Sequence, residues 1–184
     1  MRKAVFIDKD GTLITDVPYN VNPELIRLEP GAAEALQLLH KHGYALVVVS
    51  NQSGIARGYF EDKAMQAVKD RIAALLSLSG IQLDGFFYCP HHPQGSVKAY
   101  AIDCVCRKPH PGLLLQAASL LNIDLQQSWM IGDILHDVEA GNRAGCRTVL
   151  LDNGHETEWI INSYRKPLLI TGGLLEAAQL IISN

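Results

Sequence analysis

Residues 3–12 read KAVFIDKDGT, a short apolar run that passes directly into two aspartates, a glycine and a threonine. The apolar part has the length of a buried strand, and the polar part begins at Asp8, where that strand would end. Further apolar runs of strand length follow at residues 44–50, 86–89, 129–132, 147–151 and 168–170. The chain therefore contains six candidate strands, and the first of them leads into the pair of aspartates.

Between these runs lie segments whose apolar residues recur every three to four positions, which is the spacing of an amphipathic helix. They span residues 32–42, 62–78, 111–121, 137–144 and 174–182. The first is followed by Gly43, a typical helix stop, and the second opens with Asp62, a typical N-cap. Strands that alternate with helices predict a central parallel sheet covered on both faces, in a single three-layer α/β domain over residues 1–184.

The composition fits a protein of this size and class. A chain of 184 residues that is 48% apolar and 19% charged buries a sufficient core without disulfides. Its formal net charge of −3 argues against nucleic-acid binding driven by overall charge. No apolar run approaches the roughly 20 residues of a membrane helix, and the apolar part of the N-terminus is too short for a secretory signal. We therefore expect neither a nucleic acid nor a membrane as a partner.

Three of the predicted strands end in polar side chains that folding alone does not require, namely Asp8, Ser50 and Asp133. The carboxyl ends of parallel strands form one edge of the sheet, and ligands bind at that edge. Asp10 follows Asp8 at a spacing of two, and such a carboxylate pair suits a divalent cation and phosphate chemistry. The sequence therefore predicts a phosphate-processing site at the carboxyl edge of the sheet.

Polar loops supply the other groups that such a site needs. The segment SNQSG at residues 50–54 offers hydroxyl and amide groups without negative charge. Arg107 and Lys108 form a basic pair that is suited to stabilising charge in a transition state. Asp137 lies one helical turn after Asp133, where it is equally suited to orienting Lys108 or a metal-bound water and to capping its helix.

The segments DKDGT (8–12), SNQSG (50–54), RKP (107–109) and GDILHD (132–137) together resemble the four motifs of the haloacid dehalogenase (HAD) superfamily of aspartate-nucleophile phosphatases. The resemblance implies a Rossmann-like HAD domain without a cap, since the chain is too short for one. It implies that Asp8 forms an aspartyl-phosphate and that Asp10 is the general acid and then the general base. It also implies that Mg²⁺ is held by Asp8, Asp133 and the backbone carbonyl of Asp10, while Lys108 and Ser50 bind the phosphoryl group.

Three of the four cysteines, Cys89, Cys104 and Cys106, lie within 18 residues, in a loop that also contains His91 and His92. We call residues 89–107 the cysteine loop. Three thiolates and one imidazole form the soft tetrahedral set that holds structural Zn²⁺, and spacing alone does not choose between the two histidines. Reduced thiolates in such a site predict a cytoplasmic protein.

The segments CPHHPQGSV (89–97) and CVCRKPHPG (104–112) closely resemble the D-glycero-D-manno-heptose-1,7-bisphosphate 7-phosphatases and, more distantly, the histidinol-phosphate phosphatases. By this resemblance Zn²⁺ is held by Cys89, His91, Cys104 and Cys106, and it fixes the loop that presents Arg107 and Lys108 to the substrate. The further substrate contacts that the resemblance implies are Thr12, Asp16, Tyr19, Asn51, Gln52 and Ser53. The implied substrate is a sugar bisphosphate of nucleotide-heptose synthesis for a surface glycan such as lipopolysaccharide, and the protein is expected to be a monomer.

One position departs from the heptose phosphatases, which often have lysine directly after the Gly-Asp of the last motif, where this chain has Ile134. The missing cation leaves histidinol phosphate or another small phosphomonoester open as the substrate. A noncatalytic phosphosugar-binding or scaffold protein is the alternative of another class, and the presence of both Asp8 and Asp10 disfavours it. The segment GHETEW at residues 154–159 either lines the site or forms a surface loop outside it, and the surface loop is the favoured interpretation. Cys146 is interpreted as a buried core thiol.

Overall fold

A computed structural model describes residues 1–184 and shows the predicted alternation of strands and helices. The strands are β1 (Ala4–Ile7), β2 (Ala45–Asn51), β3 (Gly85–Cys89), β4 (Trp129–Gly132), β5 (Arg147–Leu151) and β6 (Leu169–Thr171). The α-helices are α1 (Ala32–Lys41), α2 (Ala64–Ser77), α3 (Gly112–Leu121), α4 (Leu135–Ala144) and α5 (Leu174–Ser183). Short 3₁₀ helices lie at Pro23–Leu25 and Leu125–Gln127. All of the strands and helices that the sequence predicts are confirmed.

The strands form one parallel sheet in the order β3-β2-β1-β4-β5-β6. The chain runs outward from β1 to β3 and then crosses back to place β4 on the other side of β1. Connections that diverge in this way leave a crevice at the carboxyl ends of the two central strands. Asp8 directly follows β1 and Asp133 directly follows β4, so the two carboxylates flank that crevice.

Alternate residues of β1 pack on opposite faces of the sheet. Val5 and Ile7 belong to a cluster of 26 buried residues that includes residues of α1, α2 and α5. Ala4 and Phe6 belong to a cluster of 13 buried residues that includes residues of α3 and α4. Burying each large aliphatic side chain stabilises the fold by about 1.5–3 kcal/mol, so β1 is a firm base for the residues that follow it. Cys146 lies in the smaller cluster as a free thiol, which confirms its predicted place in the core.

Helix α3 begins one residue later than predicted, and two other helices begin two residues from their predicted starts. Helix α2 begins two residues later, and Asp62 accepts a hydrogen bond from the Tyr88 hydroxyl (2.9 Å) instead of capping the helix. Helix α4 begins two residues earlier, at Leu135, only three residues after β4 ends. Asp137 therefore lies inside the first turn of α4, and its Oδ2 accepts the backbone N–H of Ile134 at 3.3 Å.

The connection between β5 and β6, residues 152–168, is here called the β5–β6 loop. It has no regular secondary structure but is tied to α4. The Asn142 side chain donates to the carbonyl oxygens of Tyr164 (2.7 Å) and Lys166 (3.1 Å), and Arg165 Nε donates to Glu139 Oε2 at 2.6 Å. The loop is thereby held against α4. Among the helices, none has the length and apolar character that crossing a membrane requires.

Candidate active site

The centre of the site is a buried group of charges, Asp8, Lys108, Asp133 and Asp137, which we call the ion cluster. All four residues are less than 10% exposed. The Lys108 ammonium is paired with Asp8, lies 2.6 Å from Asp137 Oδ1 and donates to the Val49 carbonyl at 3.0 Å. Two carboxylates thus contact one ammonium, and a third, that of Asp133, lies within 4.8 Å of both carboxylates, in a space with little access to water.

Burial and mutual repulsion shift the pKa values in the ion cluster. Burial, with added repulsion from Asp137 and Asp10, raises the pKa of Asp8 to about 7, although Lys108 acts in the opposite direction. Burial, followed by repulsion from Asp8 and Asp137, raises the pKa of Asp133 to about 8. Burial alone would lower the pKa of Lys108, but Asp137 and Asp8 hold it above its usual range, so the ammonium stays charged. When these carboxyl groups are ionised, they need more positive charge than Lys108 supplies.

The donor set fits a hard divalent cation. Oxygen atoms of Asp8, Asp133 and Asp137 lie within 4.8 Å of one another. Mg²⁺ binds through one or two carboxylates together with water and phosphate oxygens, and its charge would balance the excess of carboxylates. Asp137 already pairs with Lys108, so its geometry favours the role of orienting the lysine over that of a metal ligand.

The backbone of Lys108 is fixed by Asn51. The Asn51 amide donates to the Lys108 carbonyl, and the Lys108 N–H donates to Asn51 Oδ1, both at 3.0 Å. Because Asn51 is the last residue of β2, this pair ties the residues after the cysteine loop to the central sheet. The sequence predicts Asn51 only as a substrate contact, and the structure gives it this second task.

Asp10 lies beside the ion cluster with partners of its own. Lys9 Nζ is 2.5 Å from Asp10 Oδ1, and Gln52 Nε2 donates to Asp10 Oδ2 at 3.1 Å. The same Gln52 amide donates to Ser50 Oγ at 2.8 Å. Gln52 therefore links the carboxylate of Asp10 to the hydroxyl of Ser50, and both of these groups line the same cavity as Asp8.

Two adjoining cavities lead to these groups. The inner cavity, of about 240 Å³, is lined by the ion cluster together with Asp10, Asp16, Ser50, Asn51, Ile134 and His155. The outer cavity, of about 420 Å³, shares Asp10, Asp16, Asn51 and Ile134 with it and adds Lys9, Tyr19, Gln52 and Ser53. The two cavities together provide space for a small molecule beside Asp8 and Asp10.

The cysteine loop gathers a second set of donors. Atoms of Cys89, His91, Cys104 and Cys106 lie within 4.8 Å of one another, and none of the cysteines forms a disulfide. The Sγ of Cys106 is 3.0 Å from that of Cys89 and 3.2 Å from that of Cys104, while His91 Nδ1 is 3.4 Å from Cys106 Sγ. Three thiols and one imidazole gathered in this way are the donor set of a tetrahedral Zn²⁺ site.

The neighbouring His92 is engaged elsewhere. Its Nδ1 accepts the backbone N–H of Gln94 at 3.1 Å, and its Nε2 is 3.2 Å from Arg57 Nη2. The geometry therefore selects His91 from the two histidines that spacing leaves open.

Curated relatives decide the family. The chain is 41% identical over 169 residues to the D-glycero-beta-D-manno-heptose-1,7-bisphosphate 7-phosphatase of Salmonella typhi. The aligned region covers 87% of this chain and 90% of that protein. It is 46% identical over 155 residues to the protein of the same name from Pasteurella multocida, with 84% of each chain covered. The chain belongs to this heptose bisphosphate phosphatase family. The model of the HAD-hydrolase-like family also matches it, at residues 105–177.

Solved structures agree with this assignment. The D,D-heptose 1,7-bisphosphate phosphatase of B. bronchiseptica, complexed with magnesium and phosphate, is 28% identical with a TM-score of 0.78, and the match covers 100% of this chain and 99% of that one. A HAD-like phosphatase from Mesorhizobium loti is 37% identical with a TM-score of 0.84, over 98% and 87% of the two chains. The HAD-type fold that the sequence predicts is confirmed.

Two residues that the family resemblance predicts as substrate contacts lie outside both cavities. Thr12 is fully buried, and its hydroxyl donates to Asp133 Oδ1 at 3.4 Å. The side chain of Arg107 faces the cysteine loop, where its Nη1 is 3.4 Å from the His91 carbonyl. A direct contact of Thr12 or Arg107 with the substrate therefore stays a prediction.

His155 belongs to the site, although the sequence interpretation leaves residues 154–159 outside it. Its Nδ1 is 2.6 Å from Asp133 Oδ2, and its ring lines the inner cavity. The interpretation of this segment was wrong at His155. No local pattern marks the residue, because its place depends on how the β5–β6 loop packs against Gly11 and Asp133.

Proposed function

We propose that the protein is a Mg²⁺-dependent phosphatase that removes the 7-phosphate of D-glycero-D-manno-heptose 1,7-bisphosphate in nucleotide-heptose synthesis. The observation that carries this proposal is the ion cluster at the carboxyl edge of the sheet, with Asp8 facing a cavity that Asp10 also lines. The names of the relatives support the choice of substrate. The same proposal includes that the protein is a cytoplasmic monomer and that this small molecule is its only partner.

The reaction proceeds in two displacements at phosphorus. The carboxylate of Asp8 attacks the phosphorus atom and forms an acyl phosphate, while the bond to the sugar oxygen breaks and Asp10 donates a proton to that oxygen. Water then attacks the acyl phosphate, Asp10 takes its proton, and inorganic phosphate leaves with Asp8 restored. Gln52 holds the Asp10 carboxyl group and so fixes the direction of both proton transfers.

Phosphoryl transfer depends mainly on positioning and on charge compensation. Lys108 supplies positive charge beside Asp8, and Asn51 and Asp137 fix its backbone and its ammonium. Ser50 lines the inner cavity with its hydroxyl held by Gln52, in reach of a phosphoryl oxygen. Asp8, Asp133 and the backbone carbonyl of Asp10 would hold Mg²⁺, which when bound offsets charge on the phosphate oxygens.

Cys89, His91, Cys104 and Cys106 would hold Zn²⁺. A closed set of four protein ligands leaves no position for water, so this metal would be structural. Lys108 follows the last of these ligands by two residues, and it is the residue whose ammonium pairs with Asp8. The Zn²⁺ site therefore acts on catalysis by fixing where the chain enters the ion cluster.

Removal of Zn²⁺ is expected to raise KM and to lower kcat, with kcat/KM falling by about 10²-fold, because small displacements of catalytic groups have effects of this size. Binding of Mg²⁺ at the aspartates should survive, since Asp8 and Asp133 directly follow β1 and β4, outside the cysteine loop. Steady-state kinetics on protein of verified metal content, with Mg²⁺ titrated by calorimetry, measures both effects. Cys146→Ala is the control, because this core thiol lies outside the cysteine loop and should leave the Zn²⁺ content unchanged. Unchanged kinetics in Zn²⁺-free protein would contradict the coupling.

One observation favours a different substrate. Ile134 lines both cavities, at the position where the heptose phosphatases often have lysine, so a cation that would face a second phosphate is replaced by an apolar group. Histidinol phosphate or another small monoester is the alternative that follows from this.

The choice of substrate is tested by comparing kcat/KM for both anomers of the heptose bisphosphate with that for histidinol phosphate, all with Mg²⁺. We expect one anomer of the bisphosphate to be hydrolysed with the highest kcat/KM. A higher value for histidinol phosphate would reject the heptose bisphosphate in favour of the alternative. Absence of phosphate release from every ester would support the noncatalytic binding protein.

A further inference from the structure

The β5–β6 loop contacts the site at three separate points. Asn153 Nδ2 donates to the Gly11 carbonyl at 2.7 Å, His155 Nδ1 lies 2.6 Å from Asp133 Oδ2, and Glu156 Oε2 accepts the Leu135 N–H at 2.6 Å. These partners belong to the loop after β1, the end of β4 and the start of α4. The side chains of Asn153 and Glu156, on either side of His155, thus tie the loop to the parts of the chain that carry the aspartates.

Asp133 has few contacts that fix its orientation. Its side chain is only 7% exposed, while that of His155 is 38% exposed. Its Oδ1 accepts a long hydrogen bond of 3.4 Å from Thr12, whereas its Oδ2 has the much shorter contact with His155. Hydrogen bonds weaken as they lengthen, so His155 provides the stronger restraint on the rotation of this carboxylate.

Gly11 makes the close approach of these two side chains possible. It has φ +75°, and a Cβ atom built on it would overlap Asp133 Oδ2 and the imidazole ring of His155. The carboxylate and the imidazole therefore occupy the space that a side chain at position 11 would fill. This packing on a bare α-carbon leaves the pair little freedom to move.

We propose that His155 is a positioning residue, which donates from Nδ1 to Asp133 and holds that carboxylate in the orientation that binds Mg²⁺. The inference rests on the proposed function, because it assigns His155 a task in that same site. A carboxylate that binds Mg²⁺ is ionised and only accepts hydrogen bonds, so Nδ1 would be the donor of this pair in the Mg²⁺-bound site. Groups that hydrogen-bond to metal ligands commonly change metal affinity by 10- to 100-fold when they are removed.

Three variants separate the hydrogen bond from the bulk of the ring. His155→Phe retains a ring without nitrogen, His155→Ala removes the ring, and His155→Asn places an amide N–H close to the position of Nδ1. We expect His155→Phe and His155→Ala to bind Mg²⁺ about tenfold more weakly, as measured by calorimetry on substrate-free protein. At saturating Mg²⁺, KM for the sugar phosphate should stay within about twofold, and His155→Asn should recover most of the Mg²⁺ affinity.

Thr157→Ala is the matched control, because Thr157 is exposed on the same loop and should leave Mg²⁺ affinity unchanged. Thermal unfolding of each variant shows whether it is folded. Wild-type Mg²⁺ affinity in folded His155→Phe, or an equal loss in His155→Asn and His155→Ala, would overturn the inference. A wild-type protein that binds no Mg²⁺ would instead reject the proposed function, so the two failures are distinguishable.

Discussion

Replacing Asp8 with asparagine is expected to lower kcat by about 10⁴-fold or more, which is the scale of effect seen when a covalent nucleophile is removed. An amide at this position does not form the acyl phosphate, so no phosphoenzyme should be trapped on the variant. Steady-state kinetics with Mg²⁺, together with the intact mass of acid-quenched protein, measures both effects.

The same variant should fold at least as stably as the wild type. The pKa of Asp8 is raised by burial from 3.8 to about 7, so its ionised form is disfavoured in the folded protein at neutral pH. A neutral side chain of nearly the same shape removes this unfavourable charge, and the thermal midpoint should not fall. Asp70→Asn, on the exposed surface of α2, is the control and should leave kcat unchanged. Full activity of a folded Asp8→Asn protein would refute Asp8 as the nucleophile.

Replacing Lys108 with methionine is expected to reduce kcat by about 10³-fold or more, because groups that compensate charge in phosphoryl transfer have effects of this size. It should also destabilise the fold, since the lysine is 3% exposed and its removal leaves Asp8 and Asp137 without their cation. Breaking a buried ion pair lowers the free energy of unfolding by about 3–5 kcal/mol. Carboxyl groups whose pKa is raised would take up protons and so lessen that loss. Denaturant unfolding with and without Mg²⁺ measures the loss of stability.

Lys63→Met is the matched control for this substitution. Lys63 also pairs with a carboxylate, Glu61, but its side chain is 83% exposed and the pair lies outside the site. We expect no measurable change in kcat or in unfolding, because exposed ion pairs contribute little. A Lys108→Met protein that retains kcat within about tenfold of the wild type would contradict the role of Lys108 in the ion cluster.

The predictable part of the molecule follows from two simple patterns. The apolar runs that became β1 to β6 have strand length, and the helical segments between them force a parallel sheet. Once the sheet is parallel, the polar residues at the strand ends must meet at one edge, which is why Asp8, Ser50 and Asp133 line one cavity. The gathering of three cysteines and one histidine likewise follows from their spacing and residue types, whereas the choice of His91 over His92 came from the family resemblance and depends on the fold of the cysteine loop.

The contacts that the sequence does not predict are side-chain contacts between residues that lie far apart in the chain. His155 reaches Asp133 because the β5–β6 loop packs on a glycine, which no periodicity indicates. The task of Asn51 in fixing Lys108 depends on a pair of hydrogen bonds across 57 residues. The side-chain direction of Arg107 is set by the fold of the cysteine loop, so its position after Cys106 does not place it in the cavity.

The reaction that we assign to this site is removal of the 7-phosphate of the heptose bisphosphate with retention of the 1-phosphate. Phosphorus NMR of that substrate during turnover with Mg²⁺ tests it most directly, because the two phosphate esters have separate resonances. We expect the 7-phosphate signal to disappear, inorganic phosphate to take its place and the 1-phosphate signal to persist. Loss of the 1-phosphate signal first, or persistence of both ester signals, would contradict this assignment.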